Sequence, residues 1–222
     1  MSAPRRLVVF DCDGTLIDSQ ASICAAMDAC FVGAGLPPPP RAETRRIVGL
    51  SLFEAMERLH PTGGGAVHAV LAERYKGCFQ RLRDDGEVEE PLFDGILDAL
   101  GLLAADGWLL GVATGKSDRG LALALAGHGI GDRFVTLQTA DHHPSKPDPS
   151  MLDAAMAQAG TTPATTAMIG DTSFDIAMAR AAGVRAIGVA WGYHAPDELL
   201  AAGADAVARD PAELLALCRA VT

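Results

Sequence analysis

The amino-acid sequence predicts an α/β fold in which a doubly wound parallel sheet of five strands carries a small inserted α-helical cap domain. Two observations lead to this prediction. Short apolar runs alternate with helical patterns over the second half of the chain, as in repeated strand–helix–strand units. A long interval after the first run contains helical patterns and no convincing strand. The chain has 222 residues and is 49% hydrophobic, which is enough to build a full core for such a fold.

Five apolar runs have the length and composition of buried strands, and they lie at residues 7–10, 109–114, 134–137, 167–169 and 186–190. Helical patterns at residues 119–127, 149–159 and 174–182 separate the later runs, and a glycine marks the end of each pattern. Connections between parallel strands of one sheet are almost always right-handed. The alternation therefore predicts a Rossmann-like sheet with helices on both faces.

The interval between the first and second predicted strands is much longer than the roughly dozen residues that a single crossover needs. Apolar residues recur at helical spacing in residues 21–33, 52–59 and 66–82. We therefore predict two domains, an α/β core of residues 1–18 and 91–222 and a helical cap of residues 19–90.

The bulk composition argues against several classes of partner. The net charge is −10 and the chain has no block of lysine or arginine, so a nucleic acid would be repelled rather than bound. No apolar run approaches the length of a membrane span, and the residues before the first strand do not read as a signal peptide. We expect a cytoplasmic protein without nucleic-acid or membrane partners. The oligomeric state is unknown from the sequence.

The residues that follow the first predicted strand carry the strongest functional signal. Asp11 and Asp13 leave the carboxyl end of a buried strand, where open α/β sheets bind their ligands, and Gly14 permits a sharp turn. A carboxylate at this place can attack phosphorus, and a second one nearby can transfer the proton. The alternative is structural, because Asp and Thr are also favoured at the N-cap of a helix. The combination Asp-x-Asp-Gly-Thr favours phosphoryl transfer.

Four segments of the chain resemble, in order, the motifs of the haloacid-dehalogenase-like hydrolase superfamily. They contain residues 11–19, Thr114 with Gly115, Lys146 within Ser-Lys-Pro-Asp-Pro, and Asp171 with Asp175. Each segment lies at a predicted strand end or in a loop. Within the superfamily, the helical insertion after the first motif is similar to the cap of the subgroup that contains the phosphoglycolate phosphatases.

This resemblance implies the roles of the acidic residues. Asp11 would be the nucleophile, and Asp13 would be the acid–base residue, a carboxylate that the dehalogenases of the superfamily lack. Asp171 would bind Mg²⁺ together with Asp11 and the backbone carbonyl of Asp13. Mg²⁺ suits oxygen ligands and would separate these acidic groups from an anionic phosphate.

The resemblance also implies a binding site for the phosphoryl group. The hydroxyl of Thr114, the backbone N–H of Gly115 and the ammonium of Lys146 would contact the phosphoryl oxygens. Asp175 follows Asp171 by four residues and would position Lys146 or a metal-bound water. Arg45 and Arg46, in the predicted cap, could read a substrate carboxylate or second phosphate, although a solvated helix face explains them equally well.

The implied function is a Mg²⁺-dependent phosphomonoester hydrolase, similar to phosphoglycolate phosphatase, that acts on a small phosphorylated metabolite through a phosphoaspartate. Two alternatives remain. A sugar phosphomutase of the β-phosphoglucomutase type shares all four motifs, but it usually needs more cationic and histidine side chains in its cap, and this cap has few of them near its linkers. A non-catalytic phosphate sensor would be expected to lose Asp11 or Asp13, and both are present. The motifs address the phosphoryl group and do not identify the substrate.

Overall fold

The computed structural model describes residues 4–220, whose core is one parallel sheet of six strands. The strands are β1 (Arg6–Phe10), β2 (Trp108–Thr114), β3 (Thr136–Thr139), β4 (Thr166–Gly170), β5 (Arg185–Val189) and β6 (Ala206–Ala208). Their order in the sheet is β3-β2-β1-β4-β5-β6, and every neighbouring pair is parallel. The doubly wound parallel sheet predicted from the sequence is therefore confirmed, with one strand more than expected.

Helices cover the sheet and form the insertion that follows β1. The insertion contains α1 (Gln20–Gly33), α2 (Arg41–Arg46), α3 (Leu52–Leu59) and α4 (Gly64–Asp84). The remaining helices are α5 (Ile96–Ala105), α6 (Asp118–Gly127), α7 (Ser150–Ala159), α8 (Ser173–Ala181), α9 (Pro196–Ala201) and α10 (Pro211–Arg219). Within residues 4–220, no helix combines the length and the apolar character needed to cross a membrane.

Both faces of the sheet are buried, which explains the continuous apolar runs in the sequence. Along β1, Val8 and Phe10 pack on one face against α5, α6 and α10, whereas Leu7 and Val9 pack on the other against α7, α8 and α9. This alternation follows from the two-residue period of a strand. The two hydrophobic clusters hold β1 at the centre of the sheet.

The insertion has a hydrophobic cluster of its own. Met27 and Phe31 of α1, Met56 of α3, and Leu71 and Tyr75 of α4 are buried together in it. The helices predicted at residues 21–33, 52–59 and 66–82 correspond to α1, α3 and α4. The insertion is thus a small helical layer that lies beside the carboxyl end of β1.

Several elements differ from the expectation, and helices α2, α9 and α10 were not predicted. The sheet has six strands rather than five, because β6 is a three-residue strand of low β propensity that leaves no readable pattern. The third strand was predicted at residues 134–137 and lies at Thr136–Thr139, where Gln138 and Thr139 are buried and satisfied by hydrogen bonds to Gln158 and Asp118. Helix α5 was not predicted, since its leucines and alanines lack a clear polar face.

The order of the strands places a switch point at the carboxyl ends of β1 and β4. From β1 the chain passes to β2 and β3 on one side, and it then returns to β4 on the other side. The connections on either side of such a point diverge and leave a crevice above the strand ends, where open α/β sheets bind ligands. Asp11 follows β1 and Asp171 follows β4, so both lie at this crevice.

The packing of α5 gives a direct test of this core. Leu100 is fully buried against the sheet, whereas Leu102 on the same helix is 47% exposed. We expect Leu100→Ala to lower the free energy of unfolding by about 2–5 kcal/mol, since it leaves a cavity. Leu102→Ala should change it by less than about 0.5 kcal/mol. Equilibrium denaturation in guanidinium measures both variants, and equal losses would contradict the placement of α5.

Candidate active site

The acidic residues of the first and fourth motifs meet above the sheet. Asp11, Asp171 and Asp175 are fully buried, and one carboxylate oxygen from each lies within 4.8 Å of the others. The backbone N–H of Asp11 donates to the carbonyl of Ile169 at 2.9 Å, which continues the pairing of β1 with β4 past the end of the strand. The parallel register of two central strands thus sets the separation of these carboxylates.

Two glycines allow the carboxylate of Asp171 to lie close to the backbone. Its oxygens accept hydrogen bonds from Thr15 Oγ1 and from the backbone N–H of Tyr193, each at 2.9 Å. A side chain at Gly14 or Gly192 would collide with this carboxylate, and Gly14 also has a φ of +84°. Gly14 is therefore required for two reasons, the conformation of the turn and the close approach of the Asp171 carboxylate.

Asp175 links the start of α8 to the buried lysine. One of its oxygens accepts from the N–H of Thr172 at 3.0 Å and from the hydroxyl of Thr172 at 2.7 Å, in the manner of a capping box. The other accepts from Lys146 Nζ at 2.6 Å. Lys146 Nζ also lies 2.9 Å from Asp11 Oδ1. Although burial lowers the pKa of Lys146, the charges of Asp11 and Asp175 raise it above its usual value, so the ammonium stays protonated.

The cluster holds more negative than positive charge. Three carboxylates converge, and Lys146 is the one cation within bonding distance of them among residues 4–220. Burial, together with the charges of Asp175 and Asp13, raises the pKa of Asp11 from 3.8 to about 7 despite the attraction of Lys146. Burial and the charges of Asp11 and Asp175 also raise the pKa of Asp171 well above 3.8. These shifts measure an electrostatic penalty that one further cation would relieve.

The donor set of the cluster fits a hard divalent cation. Asp11 Oδ1 accepts from the N–H of Cys12 at 2.7 Å as well as facing Lys146, but Asp11 Oδ2 is buried and has no hydrogen-bond partner in the described part of the chain. A buried carboxylate oxygen without a donor is costly. The available ligands are all oxygen atoms, which Mg²⁺ and similar ions prefer.

Asp13 lies at the edge of this cluster and faces a different set of groups. It is 7% exposed, and its Oδ1 accepts a hydrogen bond from Ser19 Oγ. Lys116 Nζ lies 2.9 Å from the same oxygen and 3.1 Å from Glu90 Oε1. Glu90 in turn pairs with Arg83 at 2.7 Å. Asp13 and Asp11 thus sit in separate ion-pair networks, although they are two residues apart.

The residues of the second motif lie at the end of β2, next to the cap. Thr114 is buried, and its hydroxyl accepts from the N–H of Lys116 at 3.2 Å. A Cβ at Gly115 would collide with the backbone carbonyls of Gly49 and Leu50, so this glycine permits the cap loop, residues 47–51 between α2 and α3, to approach the core. Ser51 N donates to Ser145 Oγ at 2.8 Å, beside Lys146. The cap loop therefore covers the crevice in this conformation.

The two cap arginines are not placed at the acidic cluster. Arg46 pairs with Glu198 of α9 at 2.8 Å on the surface, and its side chain is 60% exposed. Arg45 is half-buried, and neither arginine lines the cavity that adjoins Asp13. The pairing with Glu198 directs Arg46 toward the core surface, and neither of these candidate substrate-reading residues reaches the cavity.

A cavity of about 320 Å³ lies between the cap and the core, beside Asp13. Core residues of its wall include Asp13, Gly115 and Lys116, and the cap contributes mostly hydrocarbon side chains. Neither Asp11 nor Asp171 lines it. The acid–base candidate Asp13 therefore lines the cavity directly, whereas the carboxylates of Asp11 and Asp171 do not.

Sequence reasoning missed several residues that shape this site. Lys116, Ser19, Thr15 and the N–H of Tyr193 contact the predicted carboxylates, but none was assigned a role. Lys116 could have been predicted, because it directly follows the predicted phosphate-binding residues Thr114 and Gly115 at the end of β2. The N–H of Tyr193 could not, because a backbone donor 22 positions from its acceptor leaves no mark in composition.

Comparison with known proteins agrees with this geometry. The family model described as haloacid dehalogenase-like hydrolase matches residues 8–189. A "Probable phosphatase IndB" of Dickeya dadantii is 37% identical over 202 residues, which cover 88% of this chain and 86% of the relative. A phosphoglycolate phosphatase of Chromobacterium violaceum is 35% identical, with 96% of each chain covered.

The fold recurs in solved structures. A crystal structure titled as a predicted phosphatase from Clostridium acetobutylicum superposes with a TM-score of 0.88, at 23% identity, covering 98% of this chain and 100% of that chain. At this identity the likeness concerns the fold alone. From the family model, the curated relatives and the motif residues together, the chain belongs to the haloacid dehalogenase-like hydrolases and is similar to their phosphatase members.

Proposed function

We propose that this protein is a Mg²⁺-dependent phosphomonoester hydrolase that acts on a small phosphorylated metabolite through a phosphoaspartate on Asp11. One observation carries the proposal. At the switch point of the sheet, Asp11 presents a buried carboxylate oxygen without a hydrogen-bond donor, and Asp13 lies two residues away in a separate ion-pair network. Relatives named phosphatase and phosphoglycolate phosphatase support the same reaction class.

The two carboxylates divide the chemistry between them. Asp11 attacks phosphorus, and the bond between phosphorus and the alcohol oxygen breaks while Asp13 donates a proton to that oxygen. Water then attacks the phosphorus of the phosphoaspartate, Asp13 accepts the proton, and inorganic phosphate leaves Asp11. Lys116, at 2.9 Å from Asp13 Oδ1, holds this carboxylate in its own ion-pair network.

Fixed positive and polar groups stabilise the transferred phosphoryl group. Lys146 is held between Asp11 and Asp175, so its ammonium is positioned before the substrate binds and needs no reorganisation. Thr114 and Gly115, at the end of β2, supply a hydroxyl and a backbone N–H on the other side of β1. Asp175 acts through Lys146, because its second oxygen accepts the hydrogen bond from Thr172 N at the start of α8.

The residues that would hold Mg²⁺ are Asp11, Asp171 and the backbone carbonyl of Asp13. When bound, the ion would neutralise the carboxylates and the phosphate and draw charge from the phosphoryl oxygens. Thr15 and the N–H of Tyr193 hold Asp171 in one orientation, as the outer partners of a metal ligand commonly do.

The cap would act as a lid. Asp11 and Lys146 are almost completely inaccessible to solvent in this conformation, so a substrate must enter through movement of the cap. The covering loop rests on Gly115 and Ser145, and its return after binding would exclude water from the site.

The assignment of the two aspartates predicts different behaviour for Asp11→Asn and Asp13→Asn. With an aryl phosphate, Asp11→Asn should abolish both turnover and labelling of the protein by phosphate, since the covalent step needs the carboxylate. Asp13→Asn should slow turnover by about 10²–10⁴-fold and still permit labelling, because a good leaving group needs little protonation. Acid quench with radiolabelled substrate measures both.

The matched control for these variants is Asp132→Asn, which changes an exposed aspartate in the short turn between α6 and β3. It should keep wild-type turnover and labelling. Equal labelling of the Asp11 and Asp13 variants would contradict the division of roles.

The charge imbalance predicts an unusual effect on stability in the absence of metal. A raised pKa means that Asp171 binds its proton more tightly in the folded protein than in the unfolded chain. This residue therefore lowers the free energy of unfolding at pH values above 3.8, its ordinary pKa, and has no such effect at lower pH. In chelator at pH 8, Asp171→Asn should therefore raise the free energy of unfolding.

Asp175→Asn supplies the contrast for this measurement. Its carboxylate is paired with Lys146 and caps α8, so its loss should destabilise the protein under the same conditions. Denaturant unfolding of the two variants decides the matter, and a destabilised Asp171→Asn would show that the cluster carries no unrelieved repulsion.

A further inference from the structure

The cavity beside Asp13 lies where the alcohol part of a substrate must go. This step rests on the proposed function, in which Asp13 gives its proton to the leaving oxygen. The alcohol must then extend past Asp13, on the side away from Asp11. Asp13 lines the cavity, whereas Asp11, Asp171 and Asp175 do not. The side chains that line the cavity therefore indicate which kind of leaving group binds there.

The wall of this cavity is mainly hydrocarbon. Met27, Ile47 and Leu50 contribute from the cap loop and α1, and Tyr75 and Phe79 contribute two aromatic rings from α4, whose centroids are 6.0 Å apart. The volume of about 320 Å³ is within the range of about 300–1,000 Å³ typical of pockets that bury most of a drug-sized ligand. The two-carbon alcohol part of phosphoglycolate would fill only a small part of it.

The inner wall offers little net positive charge for a carboxylate. Lys116 is paired with both Asp13 and Glu90, and Glu90 is also paired with Arg83, so the four charges sum to zero. Lys116 and Arg83 further lie within 5.6 Å of the centre of the Phe79 ring.

The two remaining cations of the lining are both exposed to solvent. Lys76 is exposed and pairs with Glu73 at 2.7 Å, and Arg119 is exposed. An anionic group deep in the cavity would have to displace an existing ion pair or remain unpaired among hydrocarbon side chains, which is costly. The same cost applies to the second phosphate of a mutase intermediate.

We infer that the leaving alcohol of the substrate carries an uncharged aromatic or similarly sized apolar ring, rather than the carboxylate of glycolate. The ring occupies the space between α1, α4 and the cap loop, against Phe79 and Tyr75. The phosphate group remains at Asp11, and the ester oxygen lies at Asp13. This assignment separates the chain from its relatives that are named for phosphoglycolate.

Three alkyl phosphates test the inference with similar leaving groups: 2-phenylethyl phosphate, ethyl phosphate and phosphoglycolate. We expect kcat/KM with Mg²⁺ to be at least about tenfold higher for 2-phenylethyl phosphate than for ethyl phosphate, the scale of burying one aromatic side chain. Phosphoglycolate should be no better than ethyl phosphate. Equal values for the first two esters, or a clear preference for phosphoglycolate, would overturn the inference.

A matched pair of phenylalanine variants locates the effect. Phe79→Ala should lower kcat/KM for 2-phenylethyl phosphate by about tenfold and leave that for ethyl phosphate within a factor of a few. Phe53→Ala removes a cap phenylalanine that does not line the cavity, and it should keep the wild-type preference. If Phe79→Ala lowers kcat/KM for both esters by the same factor, the preference for the phenyl ester is unchanged. The ring then does not bind against Phe79, which contradicts the inference.

A binding measurement separates this inference from the proposed reaction. If none of the esters is hydrolysed, the proposed hydrolase is wrong, but the cavity still makes a prediction. Calorimetry should then show 2-phenylethylphosphonate binding at least about tenfold more tightly than ethylphosphonate to the wild-type protein in Mg²⁺. Equal affinity of the two phosphonates would refute the apolar leaving-group site, whatever the reaction is.

Discussion

The convergence of three buried carboxylates, of which only Asp11 and Asp175 pair with an ammonium, is the constraint on which this structure depends. Asp11 and Asp171 lie above adjacent central strands, Asp175 lies on the helix that follows, and Lys146 reaches them from a loop. Burial in a low-dielectric interior makes their mutual repulsion large, as the raised pKa values of Asp11 and Asp171 show. The fold must hold these groups together against that repulsion, and it does so with its most buried strands.

The rest of the molecule can be understood as the means of holding and covering this charge cluster. Hydrophobic clusters on both faces of the sheet fix β1 and β4, and glycines at positions 14 and 192 bring backbone up to Asp171. The cap packs around its own hydrophobic cluster, and the cap loop covers the crevice. Electrostatic strain of this kind costs stability in the absence of a cation, and catalytic sites commonly carry such a cost.

The sequence predicted those parts of the structure that rest on local patterns. Continuous apolar runs and glycine-ended helical patterns led to the parallel sheet, and the long first interval led to the helical insertion. The short strand β6 and the bounds of the polar strand β3 were beyond such reasoning, because burial and hydrogen bonding to distant residues determine them. The same limit applies to the site: the motif spacing indicated the aspartates, whereas the pairing of Lys116 with Asp13 and of Arg46 with Glu198 depends on how cap and core meet.

The central claim is that the carboxylate cluster is built around a divalent cation. Calorimetric titration of the chelator-treated protein with Mg²⁺, without substrate, tests it most directly. We expect saturable binding of one ion per chain, unchanged in Asp132→Asn and lost in Asp171→Ala. Absence of binding to the wild-type protein, or equal binding to Asp171→Ala, would contradict it.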